Sequence, residues 1–137
     1  MKVTSKVILI SMVLIWSVSA IYGGEKAPKK IVDFANSTLV KWGKDPIIVK
    51  AVKEENAKGK SLDQIKELDK KWMTTPGVDE FMKSLMENEC GKYLQKLQSS
   101  APYFSEIFVM DNQGANVCMS NKTTDYWQGD EDKFIES

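Results

Sequence analysis

The sequence contains no histidine, and all 19 of its basic residues are lysine, so arginine is absent too. Without an imidazole there is no Ser–His or Cys–His nucleophile, no histidine metal ligand and no side chain that titrates near neutrality unperturbed. Without a guanidinium there is no planar fork to grip a carboxylate or phosphate through two parallel bonds. The 19 basic residues are balanced by 19 acids. A nucleic-acid-binding surface calls for a basic surplus, and none is present. No S-x-x-K motif offers a lysine-activated serine, and the carboxylates are spread as on any charged surface. No catalytic constellation or cofactor motif emerges, and the expected protein is not an enzyme.

Long apolar runs are scarce as well. One stands out, Val7 to Trp16, interrupted by Ser11, preceded by Lys2 and Lys6 and followed by Val18-Ser19-Ala20. A basic start, a short apolar stretch and small residues at the two positions a signal peptidase reads make residues 1–20 a secretory signal. The run is short for a membrane span, which takes about 20 residues, so an uncleaved anchor is the weaker reading. Residues 21–29 then form a linker, and residues 30–137 a single domain, periplasmic or secreted. Without Lys2 and Lys6, 17 lysines face 19 acids.

Cysteine occurs twice, at Cys90 and Cys118. The spacing matches neither a C-x-x-C redox pair nor a metal site. Export would carry both thiols into an oxidising compartment, which allows one disulfide; two small buried thiols are the alternative.

What is present is mostly helical patterning. From Lys30, apolar residues recur near a period of 3.6 through Ile31, Phe34, Leu39 and Trp42. Asp45-Pro46 reads as an N-cap followed by proline at the first helical position, and Gly59 as the residue that closes that helix. Its apolar face is Ile48, Ala51 and Val52. Ser61 with Gln64 three residues on has the form of a capping box, ahead of a stripe of Leu62, Ile65, Leu68, Asp69 and Trp72. Thr75-Pro76 repeats the start signal and predicts one helix to about Gln98. Gly91 falls inside it, which predicts a packing requirement or a break there.

After Pro102 the period changes to two. Residues 103–120 read as strand, turn, strand, with Asp111-Asn112-Gln113-Gly114 as the turn. Ile107 and Val109 share one face of the first strand, Phe108 and Met110 the other, so that strand is expected to be buried on both sides. Helices followed by an antiparallel hairpin make an α+β fold. Two strands alone are not stable in water. The 17 residues after Ser120 do not read as strands, so the hairpin is expected to find partners in another molecule, or the domain to be incomplete at its C-terminus.

The pieces "AVKEENAKGKSLDQIKELDKKWM" and "EIFVMDNQGANVCMSNKTTDYWQGDEDKF", with the cysteine pair between and within them, resemble the Cache, or PDC, family of extracytoplasmic PAS-like sensor domains. The nearest likeness is to small secreted bacterial members made of one such domain behind a signal peptide, and it spans residues 25–137. The resemblance implies long N-terminal helices on an antiparallel PAS-like sheet, of which the last strands would be missing here. It also implies a small-molecule ligand, an amino acid, amine or carboxylate, held between the sheet and the loop after the second strand. Signal transduction would then run through a membrane receptor or a homodimer. The arginine that many amino-acid-binding members set on the ligand carboxylate has no counterpart.

Within that frame Asp125, Tyr126 and Trp127 are the candidate ligand-binding residues. Aromatic faces pack an apolar or cationic ligand, a phenol or indole donates a hydrogen bond, and a carboxylate accepts one from an amine. The alternative is that both aromatics cover the sheet while Asp125 caps a turn. Asp130, Glu131 and Asp132 do not follow the alternating ligand pattern of a calcium loop, and no metal site is expected. They suit the positive end of a short helix beginning near Gly129. A secreted structural or protein-interaction domain, with Trp42, Trp72 and Met73 as docking side chains, is the rival to a ligand binder.

Overall fold

The computed structural model describes residues 27–101 and 103–135. The signal-peptide reading of residues 1–20 and most of the 21–29 linker fall outside these. The chain divides into two compact units, Met1–Leu39 and Val40–Ser137. The described part of the first is helix α1 (Lys29–Phe34) followed by a π-helical segment, Ala35–Leu39. The 3.6-residue spacing does produce a helix, but none of its side chains is buried.

The second unit contains α2 (Val40–Gly43), α3 (Pro46–Ala57), α4 (Leu62–Thr74), α5 (Glu80–Glu87), α6 (Glu89–Ser100), β1 (Phe108–Met110), β2 (Asn116–Met119) and α7 (Asp132–Ile135). It is α+β. The local start signals act as read. Asp45 accepts the Ile47 amide at 2.9 Å with Pro46 in the first turn. Ser61 and Gln64 exchange the reciprocal bonds of a capping box. Gly59 takes φ +61° just past α3, a conformation open to glycine at little cost.

The single helix expected from Thr75-Pro76 to Gln98 is instead two. Gly77, at φ +68°, turns the chain after Pro76, and Asp79 becomes the cap of α5, accepting from the Met82 amide at 2.9 Å. Asn88 then leaves the helix in an extended conformation and caps α6 through the Gly91 amide at 2.7 Å. Gly91 supplies the packing requirement. A Cβ there would lie 2.4 Å from the Met86 carbonyl oxygen and 2.5 Å from that of Leu85. The end of α5 and the first turn of α6 therefore meet backbone to backbone.

β1 and β2 pair antiparallel, Phe108 opposite Met119 and Val109 opposite Cys118, with an irregularity between Val109 and Met110. The turn is closed by Asp111, whose Oδ1 accepts the amides of Gln113 and Ala115, both at 2.9 Å, while Gly114 takes φ +83°. The hairpin is covered on both faces by helices of the same chain. Phe108, Ala115 and Met119 pack with Ile65 and Trp72 of α4 and with Met82 and Leu85 of α5. Val109 and Cys118 pack with Ile48 of α3 and with Cys90 and Leu94 of α6. The strand buried throughout is β2; the residues of β1 are only half-buried. The difference lies at the second edge of β2. The Asn116 amide donates to Tyr126 O at 3.0 Å, and the Gln128 amide to Gly114 O at 2.8 Å, forming a bridge between Ala115 and Trp127. Residues that carry no strand pattern thus pair with an edge that was expected to need another molecule or further strands of the domain.

Cys90 and Cys118 form a disulfide, with S–S 2.06 Å and Cα–Cα 5.7 Å. It joins α6 to β2 in the middle of the second cluster. No helix among the described residues is long and apolar enough to cross a membrane.

Candidate ligand-binding cleft

Helices α3, α4 and α5 and the start of α6 do not meet fully over β2. They leave a half-open cleft of about 530 Å³, within the range of small-molecule sites. Its floor and walls are apolar, drawn from Ile47, Ala51, Leu68, Phe81, Leu85 and Val117. Cys90 of the disulfide also borders it. Lys50, Lys58, Lys60, Glu54, Glu55 and Glu89 supply its charges.

The charges are not equivalent. Lys50 and Glu89 pair with each other across the mouth at 3.7 Å, both well exposed. Glu54 is exposed at the lip. Glu55 lies deeper: it is on the face of α3 that also carries Ile48 and Ala51, and its side chain is only 10% exposed. Both of its carboxylate oxygens are taken, Oε2 by Lys58 Nζ at 2.6 Å and Oε1 by Lys60 Nζ. Burial pushes the Glu55 pKa up, but the bonds and charges of Lys58 and Lys60 outweigh that and leave it below the ordinary carboxylate value. Lys60 shows the mirror image. Burial pushes its pKa down, while its bonds to Glu55 and Tyr126 outweigh that and hold it above the ordinary lysine value. The pair is ionised at neutral pH, and two lysines on one carboxylate leave a local surplus of one positive charge.

The sequence candidates sit behind this cleft rather than in its wall. None of Asp125, Tyr126 and Trp127 lines it. Tyr126 is fully buried, its ring tilted against Trp72 (5.7 Å between ring centroids) and edge-on to Phe81 (5.3 Å). It therefore fills space between the sheet and helices α4 and α5. Its hydroxyl accepts a hydrogen bond from Lys60 Nζ at 2.8 Å, which places it one bond away from the cleft. Burial raises the Tyr126 pKa despite that ammonium. The backbone of the segment is pinned by Asp69, whose Oδ1 accepts from the amides of Tyr126 (2.8 Å) and Trp127 (3.0 Å). The Trp127 indole donates to Gln113 O at 2.7 Å and carries Lys66 Nζ 4.7 Å from its ring centre. Asp125 is half-buried; burial, then the charge of Asp69, raises its pKa.

No family model matches this chain, and neither does any curated protein or solved structure.

Three residues central to the geometry were not singled out as functional in the sequence: Glu55, Lys60 and Asp69. Two left a signal. Glu55 continues the spacing of Ile48, Ala51 and Val52, so a carboxylate occupies a position on an apolar face. Asp69 interrupts the stripe of Ile65, Leu68 and Trp72 in the same way. Charge at such positions implies a buried partner, since an unpaired buried carboxylate is costly. Lys60 left none, because it lies in the connection between α3 and α4. Among the described residues, no group of three or more acidic or cysteine side chains is placed to hold a metal ion. Asp132 lies in the first turn of α7, three residues beyond the helix start expected near Gly129.

Proposed function

We propose that this chain is an exported, non-enzymatic ligand-binding domain of the Cache-like, PAS-like sensor kind. The observation that carries the reading is the half-open cleft over β2, in which an apolar floor lies beside a half-buried, charged lysine. Such a mixture of apolar surface and a few placed polar groups is what small-molecule sites use. The signal-peptide pattern, the order of helices before a hairpin and the motif resemblance add to it. In this reading Tyr126 takes part indirectly, through its bond to Lys60, and Asp125 and Trp127 hold the segment that carries it. Signalling runs through a partner, a membrane receptor or a second copy, which senses the helices around the cleft.

A thermal-shift screen of the purified chain against amino acids, amines, carboxylates and purines tests this. A ligand that binds the folded state raises the melting temperature in proportion to the logarithm of its concentration. The variant Ser84→Trp places a large ring at the exposed mouth of the cleft and should abolish the shift. A flat screen on a cooperatively folding protein would instead favour a structural or protein-interaction domain.

A further inference from the structure

The cleft carries information about the chemical class of its occupant. Lysine has three N–H donors. Two of those on Lys60 are directed to Glu55 and to the Tyr126 hydroxyl. That leaves one donor on an ammonium whose side chain is 21% exposed and which borders the cleft. Lys58 has donors to spare beside it, in solvent. The one carboxylate nearby that is sheltered from water, Glu55, has both oxygens occupied. The inner part of the cleft thus offers donors and positive charge, and its one sheltered carboxylate is already neutralised by two ammonium groups. Beside these charges the lining offers hydrocarbon and one phenyl ring, from Leu68, Phe81, Leu85 and Val117. A carboxylate accepts and never donates when ionised, and hydrogen bonds to charged groups are worth more than neutral ones.

We infer that the cleft takes an apolar monocarboxylate, its head on the spare Lys60 donor with Lys58 nearby, and its aliphatic or aryl body over Leu68, Phe81 and Val117. This rests on the reading of the cleft as a ligand site. A dianion is disfavoured, because the local surplus is a single charge and Glu54 stands at the lip. A free amine is disfavoured, because Glu55 already holds two ammonium groups, and Lys58 and Lys60 would repel a third.

The test compares three probes that share one tail: octanoate, octanamide and octylamine, each below its aggregation concentration. Binding to the purified, disulfide-bonded chain is followed by residue-resolved NMR, so that association with other apolar segments is told apart from the cleft. Octanoate should shift Lys60, Leu68, Phe81 and Val117 saturably, with octanamide at least tenfold weaker and octylamine weaker again. Lys60→Met should erase the preference for octanoate over octanamide. Because Lys60 also holds Glu55 and Tyr126, Ser84→Trp serves as a companion that leaves those bonds in place and should remove octanoate binding altogether. Equal binding of octanoate and octanamide, or stronger binding of octylamine, at the cleft overturns the anion assignment and leaves the cleft itself standing. If none of the three perturbs the cleft, the assignment also falls. The cleft reading falls with it only if no ligand found in the general screen is lost in Ser84→Trp.

Discussion

Glu55 and Asp125 respond to burial with opposite net signs, and that opposition can be measured. The Glu55 pKa is lowered in the folded state, so its contribution to stability is present above its unfolded value near 4.5 and is lost as the pH falls through the folded value. The Asp125 pKa is raised from 3.8, so its contribution is present at low pH and is lost as the pH rises through the folded value; at neutrality its charge works against the fold. Asp125→Asn should therefore melt above the parent at pH 7, and the gain should vanish below about pH 3.8. Glu55→Gln should melt below the parent at pH 7 and converge on it in acid. Thermal melts of the three proteins at pH 3 and pH 7 decide both. Gly91 gives a second prediction at the same scale. Helix propensity alone would make Gly91→Ala stabilising by about 1 kcal/mol. The clash with the Leu85 and Met86 carbonyls reverses the sign, with a net loss of about 2 kcal/mol, as overpacking against immobile backbone does. A denaturant midpoint above the parent's would contradict the contact.

At the scale of elements, the local caps were legible and the long-range decisions were not. Asp45, Ser61 with Gln64, and Asp111 each act on amides two to four residues away, so sequence spacing suffices to place them. Asn88 caps a helix inside a continuous apolar pattern, and whether the chain breaks there depends on how closely α5 can approach Gly91. The sheet shows the same limit. The apolar run over residues 107–110 and the turn at residues 111–114 mark the hairpin, yet they do not reveal that β2 is the more buried strand, because its second edge is closed by the short bridge at Trp127. A bridge that short has no period to read. The cleft was legible only in hindsight, through the carboxylates on apolar faces, since its walls come from four helices whose mutual placement no single stretch encodes. The disulfide between α6 and β2 closes a loop of 28 residues. Restricting an unfolded loop of that length stabilises the fold by about 3 to 4 kcal/mol in the chain-entropy account. Cys90→Ala with Cys118→Ala should lower the denaturant midpoint accordingly, and a reducing agent should shift the parent but not the double variant.

For the whole molecule, the second unit is held together by contacts that run between its two ends. Lys60, held by Glu55, donates to the Tyr126 hydroxyl 66 residues on, and Asp69 accepts from the amides of both Tyr126 and Trp127. Trp72 likewise donates its indole N–H to Thr123 O at 2.9 Å. Such closure carries a consequence for a chain made in one direction. Until residues 126–128 have been synthesised, the outer edge of β2 has no partner, Asp69 has no amides to accept from, and the ring that completes the first core cluster is missing. A nascent chain stopped at Thr124 would present a bare strand edge flanked by Phe81, Trp72 and Met119, which is a template for pairing with its neighbours. A version ending at Thr124 should sediment as aggregates under conditions where the full chain stays monodisperse. Residues 126–128 thus act as the bolt of the domain, and its folding has to wait for them.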